Sequence, residues 1–152
     1  MFKNKKERVI YIEKVLERIE SDYLQVYPFL TDDEFHDLFG EKVINTIAGL
    51  NCLKEKCGLC DIEINCPFYS EKLDRCGIDR YKPVHCRLWH CYQCGPKEIV
   101  KELRELTSIF ADQIGPEKEA RKIKQSLEKQ DLTPKEAREK YVKLIEKYRN
   151  GK

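Results

Sequence analysis

The chain has 152 residues, of which 41% are apolar and 37% are charged, and its net charge is +2. This length suits one domain, the nearly balanced charge gives no electrostatic reason to expect a nucleic-acid partner, and no apolar run approaches the roughly 20 residues that a membrane-spanning helix needs. The basic N-terminus leads into a Glu-rich amphipathic stretch, which is unlike a secretory signal, so we expect a cytoplasmic protein with no membrane partner. Thiols stay mostly reduced in the cytoplasm, and clustered cysteines there favour metal binding over structural disulfides.

Residues 1–50 are predicted to form two helices. In the first helix, apolar side chains recur at three- and four-residue steps and form one stripe, which comprises Val9, Ile12, Leu16, Ile19 and Tyr23. Pro28 ends or kinks the chain after this helix. Thr31 followed by Glu34 is a capping box that predicts the start of the second helix, and Gly40 marks a break inside it.

Residues 96–152 are predicted to form three helices. Pro96 suits the first turn of a helix whose buried stripe comprises Ile99, Leu103, Leu106 and Phe110. Gly115-Pro116 breaks the chain, and the charged helix that follows, to about residue 130, has few side chains to bury: Ala120, Ile123 and Leu127. Thr133 and Glu136 form a capping signal for the last helix, whose apolar side chains repeat at heptad spacing: Ala137, Tyr141, Leu144 and Tyr148.

All eight cysteines lie between residues 52 and 94, in a segment with no long periodic apolar run. Such a segment buries too little apolar surface to order itself, so we predict loops with one or two short helical turns that are cross-linked by metal. We therefore expect a single, mainly α-helical domain over residues 1–152, without a substantial sheet. Its parts are a helical N-terminal part (1–50), a cysteine-rich metal-binding insert (51–95) and a helical C-terminal part (96–152).

The spacing of the cysteines indicates metal coordination. In Cys57-x2-Cys60 and Cys91-x2-Cys94, the two intervening residues let the chain turn, so that both sulfurs face one metal and backbone N–H groups point at the thiolates. A cysteine five residues before each pair makes an x4-x2 spacing that occurs twice, with Cys52 in the first triplet and Cys86 in the second. We predict that all eight thiolates are metal ligands: Cys52, Cys57, Cys60, Cys66, Cys76, Cys86, Cys91 and Cys94.

Two kinds of metal centre fit these cysteines. Zinc takes four ligands in a tetrahedron, which two Cys-x2-Cys pairs would supply. Iron–sulfur clusters also take thiolates, and Cys-x4-Cys-x2-Cys with a distant fourth cysteine is the spacing of plant-type ferredoxins. Eight cysteines divide into two sites of four under either hypothesis, and a single site with spare cysteines is also open. We expect one or two iron–sulfur clusters, with [4Fe–4S] as the favoured form and Zn²⁺ as the alternative cofactor.

The histidines beside the second triplet are secondary candidates. His85 precedes Cys86 and His90 precedes Cys91, and adjacent residues seldom both ligate one ion. We expect both histidines to pack near the site or to donate hydrogen bonds to sulfur. We predict no catalytic residues, because the sequence has no Ser/His/Asp arrangement and no Gly-rich phosphate loop.

A longer string adds a family resemblance. Cys66-Pro67-Phe68 is followed by Cys76-Gly77-Ile78-Asp79-Arg80-Tyr81-Lys82-Pro83-Val84-His85-Cys86-Arg87-Leu88. The string resembles the zinc- or iron-chelating CxxCxxCC domain family, in which a Cys-x2-Cys-type cluster and a Cys-Pro-like element precede Cys-x-Ile-Tyr-x-x-Arg-Pro-x-x-Cys-Arg. The resemblance covers roughly residues 52–90. Lys82 replaces the family's Arg, Asp79 replaces its Tyr, and Asp61 follows Cys60 where the family has another Cys. The resemblance implies metal binding, with an iron–sulfur centre as one form, and implies little about a reaction.

We therefore expect an iron–sulfur protein that serves electron transfer or a cluster-dependent accessory role, with a redox or client protein as its partner. The alternative is a zinc-stabilised module that binds a protein or nucleic acid through its helical flanks, with the charged helix around residues 117–130 as the contact. A thiol–disulfide enzyme ranks last, because its motif usually follows a strand and no strand is evident in the sequence.

Overall fold

The computed structural model describes residues 1–50, 65–73, 76–110 and 115–151, with the backbone alone at residue 79. In chain order, its helices are α1 (Lys5–Arg18), α2 (Asp32–Ala48), α3 (Val84–Leu88), α4 (Lys97–Phe110), α5 (Glu117–Glu128) and α6 (Pro134–Gly151). A π-helical turn (Ile19–Tyr23) extends α1, and a 3₁₀ turn (Asp79–Tyr81) precedes α3. These ranges contain no strand, and one isolated antiparallel bridge pairs Phe29 with Pro83. The prediction of a mainly helical fold without a substantial sheet is confirmed.

Local capping signals set the helix boundaries. The Thr31 side chain accepts a hydrogen bond from the Glu34 backbone N–H, and the Glu34 carboxylate accepts one from the Thr31 N–H, which is the predicted capping box of α2. Thr133 and Glu136 make the same reciprocal pair at the start of α6. Gly40 has a φ of 83° and kinks α2, at the predicted break, because glycine adopts this left-handed conformation without steric cost.

The buried side chains form two hydrophobic cores. The first core joins α1, α2, α3 and α4, and includes Val15, Phe35, Leu38, Phe39, Val84, Leu88, Leu103, Leu106 and Phe110. The second core packs α5 and α6 against the cysteine region, and includes Phe29, Cys66, Phe68, Cys76, Ile78, Cys86, Ala120, Leu127, Ala137, Tyr141 and Ile145. The short helix α3 therefore contributes to both cores, with Val84 and Leu88 in the first and Cys86 in the second.

Two sequence-based expectations change at this level. Val9 and Leu16 were predicted on the buried stripe of α1, but they are 46% and 44% exposed, while Val15 is buried. The helix is rotated relative to the predicted stripe because Tyr11, Ile12, Val15 and Ile19 are the side chains that meet the first core. In α5, Ala120 and Leu127 are buried and Ile123 packs against the second core, so this stripe is internal and gives no support to α5 as a partner-contact surface.

Among the described helices, none combines the length and the apolar character that crossing a membrane requires.

Candidate metal centre

The short helix α3 is held in place by backbone contacts with the segment that precedes α2. The Leu30 N–H donates to the Lys82 carbonyl at 3.4 Å, and the Val84 N–H donates to the Pro28 carbonyl at 3.0 Å. Pro83 lies between these contacts, in an extended conformation at the N-cap of α3. Its ring fixes φ and suits a helix start. The first residues of α3, including His85 and Cys86, are thus held against the N-terminal part of the chain.

Three donor atoms converge at this position. Cys66 Sγ, Cys86 Sγ and a ring nitrogen of His85 all lie within 4.8 Å of one another. His85 Nε2 is 3.5 Å from Cys86 Sγ. Cys66 is fully buried, and Cys86 and His85 are each 5% exposed. Thiolates and imidazole are the protein ligands that zinc and related transition metals prefer, so this group can hold a metal ion.

The environment of Cys86 favours its protonated thiol when no metal is bound. A hydrogen bond with Cys66 and burial both raise the pKa of the Cys86 thiol well above its ordinary value, against a smaller opposing effect of His85. Two adjacent buried thiolates would repel each other in a medium that solvates neither. A cation between them removes this cost, and its binding must release the thiol proton.

Cys76 lies in the same core as Cys66, Cys86 and Tyr141. The Tyr141 hydroxyl donates to the Pro67 carbonyl at 3.0 Å, next to Cys66. Burial raises the pKa of Tyr141 above its ordinary value, and negative charge on Cys66 and Cys76 adds to the effect. Tyr141 therefore lies beside the backbone that carries Cys66, in the core that also contains Cys76. Among the described residues, however, the 4.8 Å group includes no donor beyond Cys66, His85 and Cys86.

Close packing against Gly77 fixes the turn that carries Cys76. The Gly77 N–H donates to the Phe68 carbonyl at 2.9 Å, and a Cβ atom at this glycine would lie 2.5 Å from the Tyr141 ring. Only a residue without a side chain allows this approach. The tyrosine of α6 therefore supports the Cys66 and Cys76 turns from one side.

Cys91 and Cys94 form a separate close pair. Their sulfurs are 3.5 Å apart, and the Cys94 N–H donates to the Cys91 carbonyl at 3.1 Å, which closes the Cys-x2-Cys turn as predicted. The structure thus groups Cys86 with Cys66 and His85, and places Cys91 against Cys94. The chain leaves the helix between these positions, since Trp89 at the C-cap of α3 is extended with ψ 131°.

Arg104 of α4 holds the Cys91 turn from outside. Its guanidinium lies 4.0 Å from the centroid of the Trp89 ring and 4.1 Å from that of Tyr92. Its Nε also donates to the His90 carbonyl at 2.9 Å. Cation–π stacking on two rings and a charge-assisted hydrogen bond tie residues 89–92 to a long helix. Tyr92 is 46% exposed, so this stack lies at the surface.

The two remaining histidines have different environments. His90 is 2% exposed, and its Nδ1 is 2.9 Å from the Leu88 carbonyl. His90 and Cys86 both line a cavity of about 450 Å³ beside α2. The other side chains that line this cavity include Phe35, Ile44, Ile47 and Arg87. His36 is exposed on α2, on the rim of the same cavity.

Of the eight predicted ligands, five fall in the described residues: Cys66, Cys76, Cys86, Cys91 and Cys94. All five are buried, and none of these five is in a disulfide. Cys52, Cys57 and Cys60 lie outside the described residues. The sequence predicted His85 as a neighbour of the site, and its place inside the donor group has no signal in the sequence beyond its adjacency to Cys86. Tyr141 and Arg104 support the two cysteine turns from distant helices, which no local spacing reveals.

Comparison of the chain with protein-family models, with curated proteins and with solved structures gave no match. The resemblance of residues 52–90 to the CxxCxxCC domain family stays a prediction.

Proposed function

We propose that the protein is a metal-binding protein whose cysteine thiolates hold tetrahedral metal ions, with zinc as the metal, and that these ions order the region between its helical flanks. The observation that carries the proposal is the buried convergence of Cys66, His85 and Cys86 within 4.8 Å. Hydrogen bonds of Cys86 with His85 and Cys66 offset part of the lost hydration, and one metal ion would bind all three donors at once.

The spacing of the donors supports single ions that take two thiolates each. With metal–sulfur bonds of about 2.3 Å and metal–nitrogen bonds of about 2.0 Å, a tetrahedron has edges of about 3.8 Å between sulfurs and about 3.5 Å between sulfur and nitrogen. The Cys91–Cys94 sulfurs are 3.5 Å apart, and His85 Nε2 is 3.5 Å from Cys86 Sγ. These separations suit ligands that share one ion. In a [4Fe–4S] cluster each thiolate binds a different iron, which sets the sulfurs farther apart.

An iron–sulfur protein is the second candidate. The eight cysteines, their doubled x4-x2 spacing and the family resemblance favour it. Its [2Fe–2S] form also places two thiolates on one iron, so the 3.5 Å separation of Cys91 and Cys94 fits that form as well. The protein would then transfer electrons to a redox partner or use the cluster in an accessory role. Iron and acid-labile sulfide in equal amounts, with visible absorption, would select this candidate over zinc.

For the zinc candidate, the proposed role is a binding module that the metal keeps folded for a partner protein in the cytoplasm. The metal then contributes folding free energy and no reaction chemistry. This role depends on an ordered surface next to the centre and not on α5, whose apolar stripe is internal.

The experiment compares metal content and stability in two variants of α3. Cys86→Ser removes a donor, so we expect loss of the metal equivalent at this centre and unfolding of the cysteine region. Val84→Ala is the matched control, because Val84 is fully buried in the same helix and contributes no donor. The control should lower the stability and retain the full metal content. A Cys86→Ser protein with unchanged metal content and thermal stability would contradict the proposal.

A further inference from the structure

We infer that His85 is a direct metal ligand through Nε2, so that the Cys66/Cys86 centre is a mixed sulfur–nitrogen site and not a four-thiolate site. This inference rests on the proposed function. It differs from the sequence-based expectation, in which the histidine packs nearby or donates a hydrogen bond to sulfur.

The position of the ring relative to both sulfurs is the first reason. The His85 donor atom is within 4.8 Å of Cys66 Sγ as well as of Cys86 Sγ, and the two sulfurs are within 4.8 Å of each other. For a triangle with sides of at most 4.8 Å, a central point lies at most about 2.8 Å from every corner, which is near the range of zinc–ligand bonds, about 2.0–2.3 Å. A single ion can therefore bind all three atoms with small adjustments.

A hydrogen-bonding histidine would lie elsewhere. An N–H group that donates to a metal-bound thiolate approaches the outer side of that sulfur, away from the metal and from the other ligands. The nitrogen is then close to one sulfur and distant from the next. His85 Nε2 is 3.5 Å from Cys86 Sγ, and a His85 ring nitrogen lies within 4.8 Å of both Cys86 Sγ and Cys66 Sγ, which is the arrangement of a ligand.

The second ring nitrogen gives an independent observation. His85 is 5% exposed, and its Nδ1 is buried with no hydrogen-bond partner among the described residues. Leaving a buried polar group unpaired costs about 1–3 kcal/mol. A ring held only by packing would not explain why a polar side chain occupies this position. A metal bond at Nε2 gives the buried ring a polar partner on its other nitrogen and fixes the tautomer, with the proton on Nδ1.

The ligand set has a consequence for metal choice. Two thiolates and one neutral imidazole balance the charge of a divalent ion, and mixed Cys/His sets are typical of structural zinc sites. The Cys91/Cys94 pair lies outside this group. The inference therefore predicts two inequivalent metal environments if both groups are loaded.

The test uses the full chain, labelled with ¹⁵N at its histidines and loaded with ¹¹³Cd²⁺, which replaces zinc and has a nuclear spin. We expect a scalar coupling between ¹¹³Cd and Nε2 of His85, and no such coupling on His36 or His90. In a parallel titration, His85→Asn should bind the ion of this centre at least about 10-fold more weakly, since loss of even an outer-shell partner costs 10–100-fold. His36→Asn, at an exposed site on α2, is the control and should leave the affinity unchanged.

The outcomes separate the inference from the proposed function. Full cadmium loading without a coupling on His85, or with a coupling on His90 in its place, would overturn the assignment of His85 and leave metal binding intact. Failure of the unaltered chain to bind cadmium or zinc at all would overturn the proposed function itself. Because the coupling is measured on the unaltered chain, a folding defect in His85→Asn does not remove the test.

Discussion

Replacing Arg87 with Met should weaken the connection between α3, the helix that carries His85 and Cys86, and the N-terminal part of the chain. Arg87 donates from Nη2 to the Leu30 carbonyl at 2.7 Å and from Nε to the Lys82 carbonyl at 3.2 Å. Its Nη1 donates to Asp32 Oδ1 at 2.6 Å. The guanidinium also lies over the Phe35 ring, 5.3 Å from its centroid. The side chain is 10% exposed, so most of these contacts are shielded from water.

The magnitude follows from the burial of each acceptor. A hydrogen bond to a charged group contributes about 1.5–3 kcal/mol. Leu30 is fully buried, so loss of its partner leaves a carbonyl without hydration, whereas the Lys82 carbonyl keeps the Leu30 N–H at 3.4 Å. Asp32 is 89% exposed, and an exposed ion pair contributes at most about 1 kcal/mol. We therefore expect Arg87→Met to cost about 2–4 kcal/mol and Asp32→Asn less than about 1 kcal/mol.

Thermal unfolding in reducing buffer with added zinc, followed by circular dichroism, measures the difference. For a chain of this size, about 1 kcal/mol shifts Tm by about 2–4 °C, so Arg87→Met should melt roughly 5–15 °C lower and Asp32→Asn within a few degrees of the unaltered protein. The reasoning is refuted if Arg87→Met melts within about 2 °C of the unaltered protein, because the buried hydrogen bonds of Arg87 would then contribute little. It is also refuted if Asp32→Asn melts as low as Arg87→Met, because the exposed ion pair would then account for the loss.

Three further variants test the supports of the cysteine turns. Tyr141→Phe removes the hydrogen bond to the buried Pro67 carbonyl and should cost about 1–2 kcal/mol in denaturant unfolding, with the metal content retained. Gly77→Ala places a Cβ 2.5 Å from the Tyr141 ring and should cost about 1–3 kcal/mol or more. Arg104→Ala removes the cation between Trp89 and Tyr92, so we expect a changed Trp89 fluorescence and faster release of metal from the Cys91/Cys94 pair to a chelator.

Specific outcomes and matched variants make these three predictions decisive. A loss of less than about 0.5 kcal/mol in Tyr141→Phe would show that the hydrogen bond to the Pro67 carbonyl contributes little to stability. Adding Tyr141→Leu to Gly77→Ala should recover part of the lost stability, and strictly additive losses would argue against the clash. Arg104→Lys retains a cation but not the planar stack. If both Arg104 variants release metal as slowly as the unaltered protein, Arg104 does not hold the Cys91 turn in place.

The local features of the fold were predictable from the sequence. The capping boxes at Thr31 and Thr133 depend on residues three positions apart, so their signals are complete within the sequence. Gly40 marks the kink of α2 for the same reason. The buried face of α1 was not predictable to this accuracy, since Val9 and Leu16 are as apolar as Val15 and only the partner helices decide which of them is covered.

The composition of the metal centre shows the same limit. Sequence spacing associated Cys86 with Cys91 and Cys94, because these residues are close along the chain. In the structure the chain leaves α3 at Trp89, and Cys86 faces Cys66, twenty residues earlier, beside His85. Cys66 and Cys86 both lie in the second core together with side chains of α6, and a contact of this kind leaves no local pattern in the sequence.

The most direct test of the central claim is metal and sulfide analysis, with an absorption spectrum, on the full chain purified without oxygen. We predict a colourless protein that holds at least one zinc ion per chain and no acid-labile sulfide, and whose buried thiols react only after chelation. Iron with sulfide and visible absorption would replace zinc with an iron–sulfur centre. A folded protein that contains no metal, and whose stability a chelator does not change, would contradict the claim that metal orders the cysteine region.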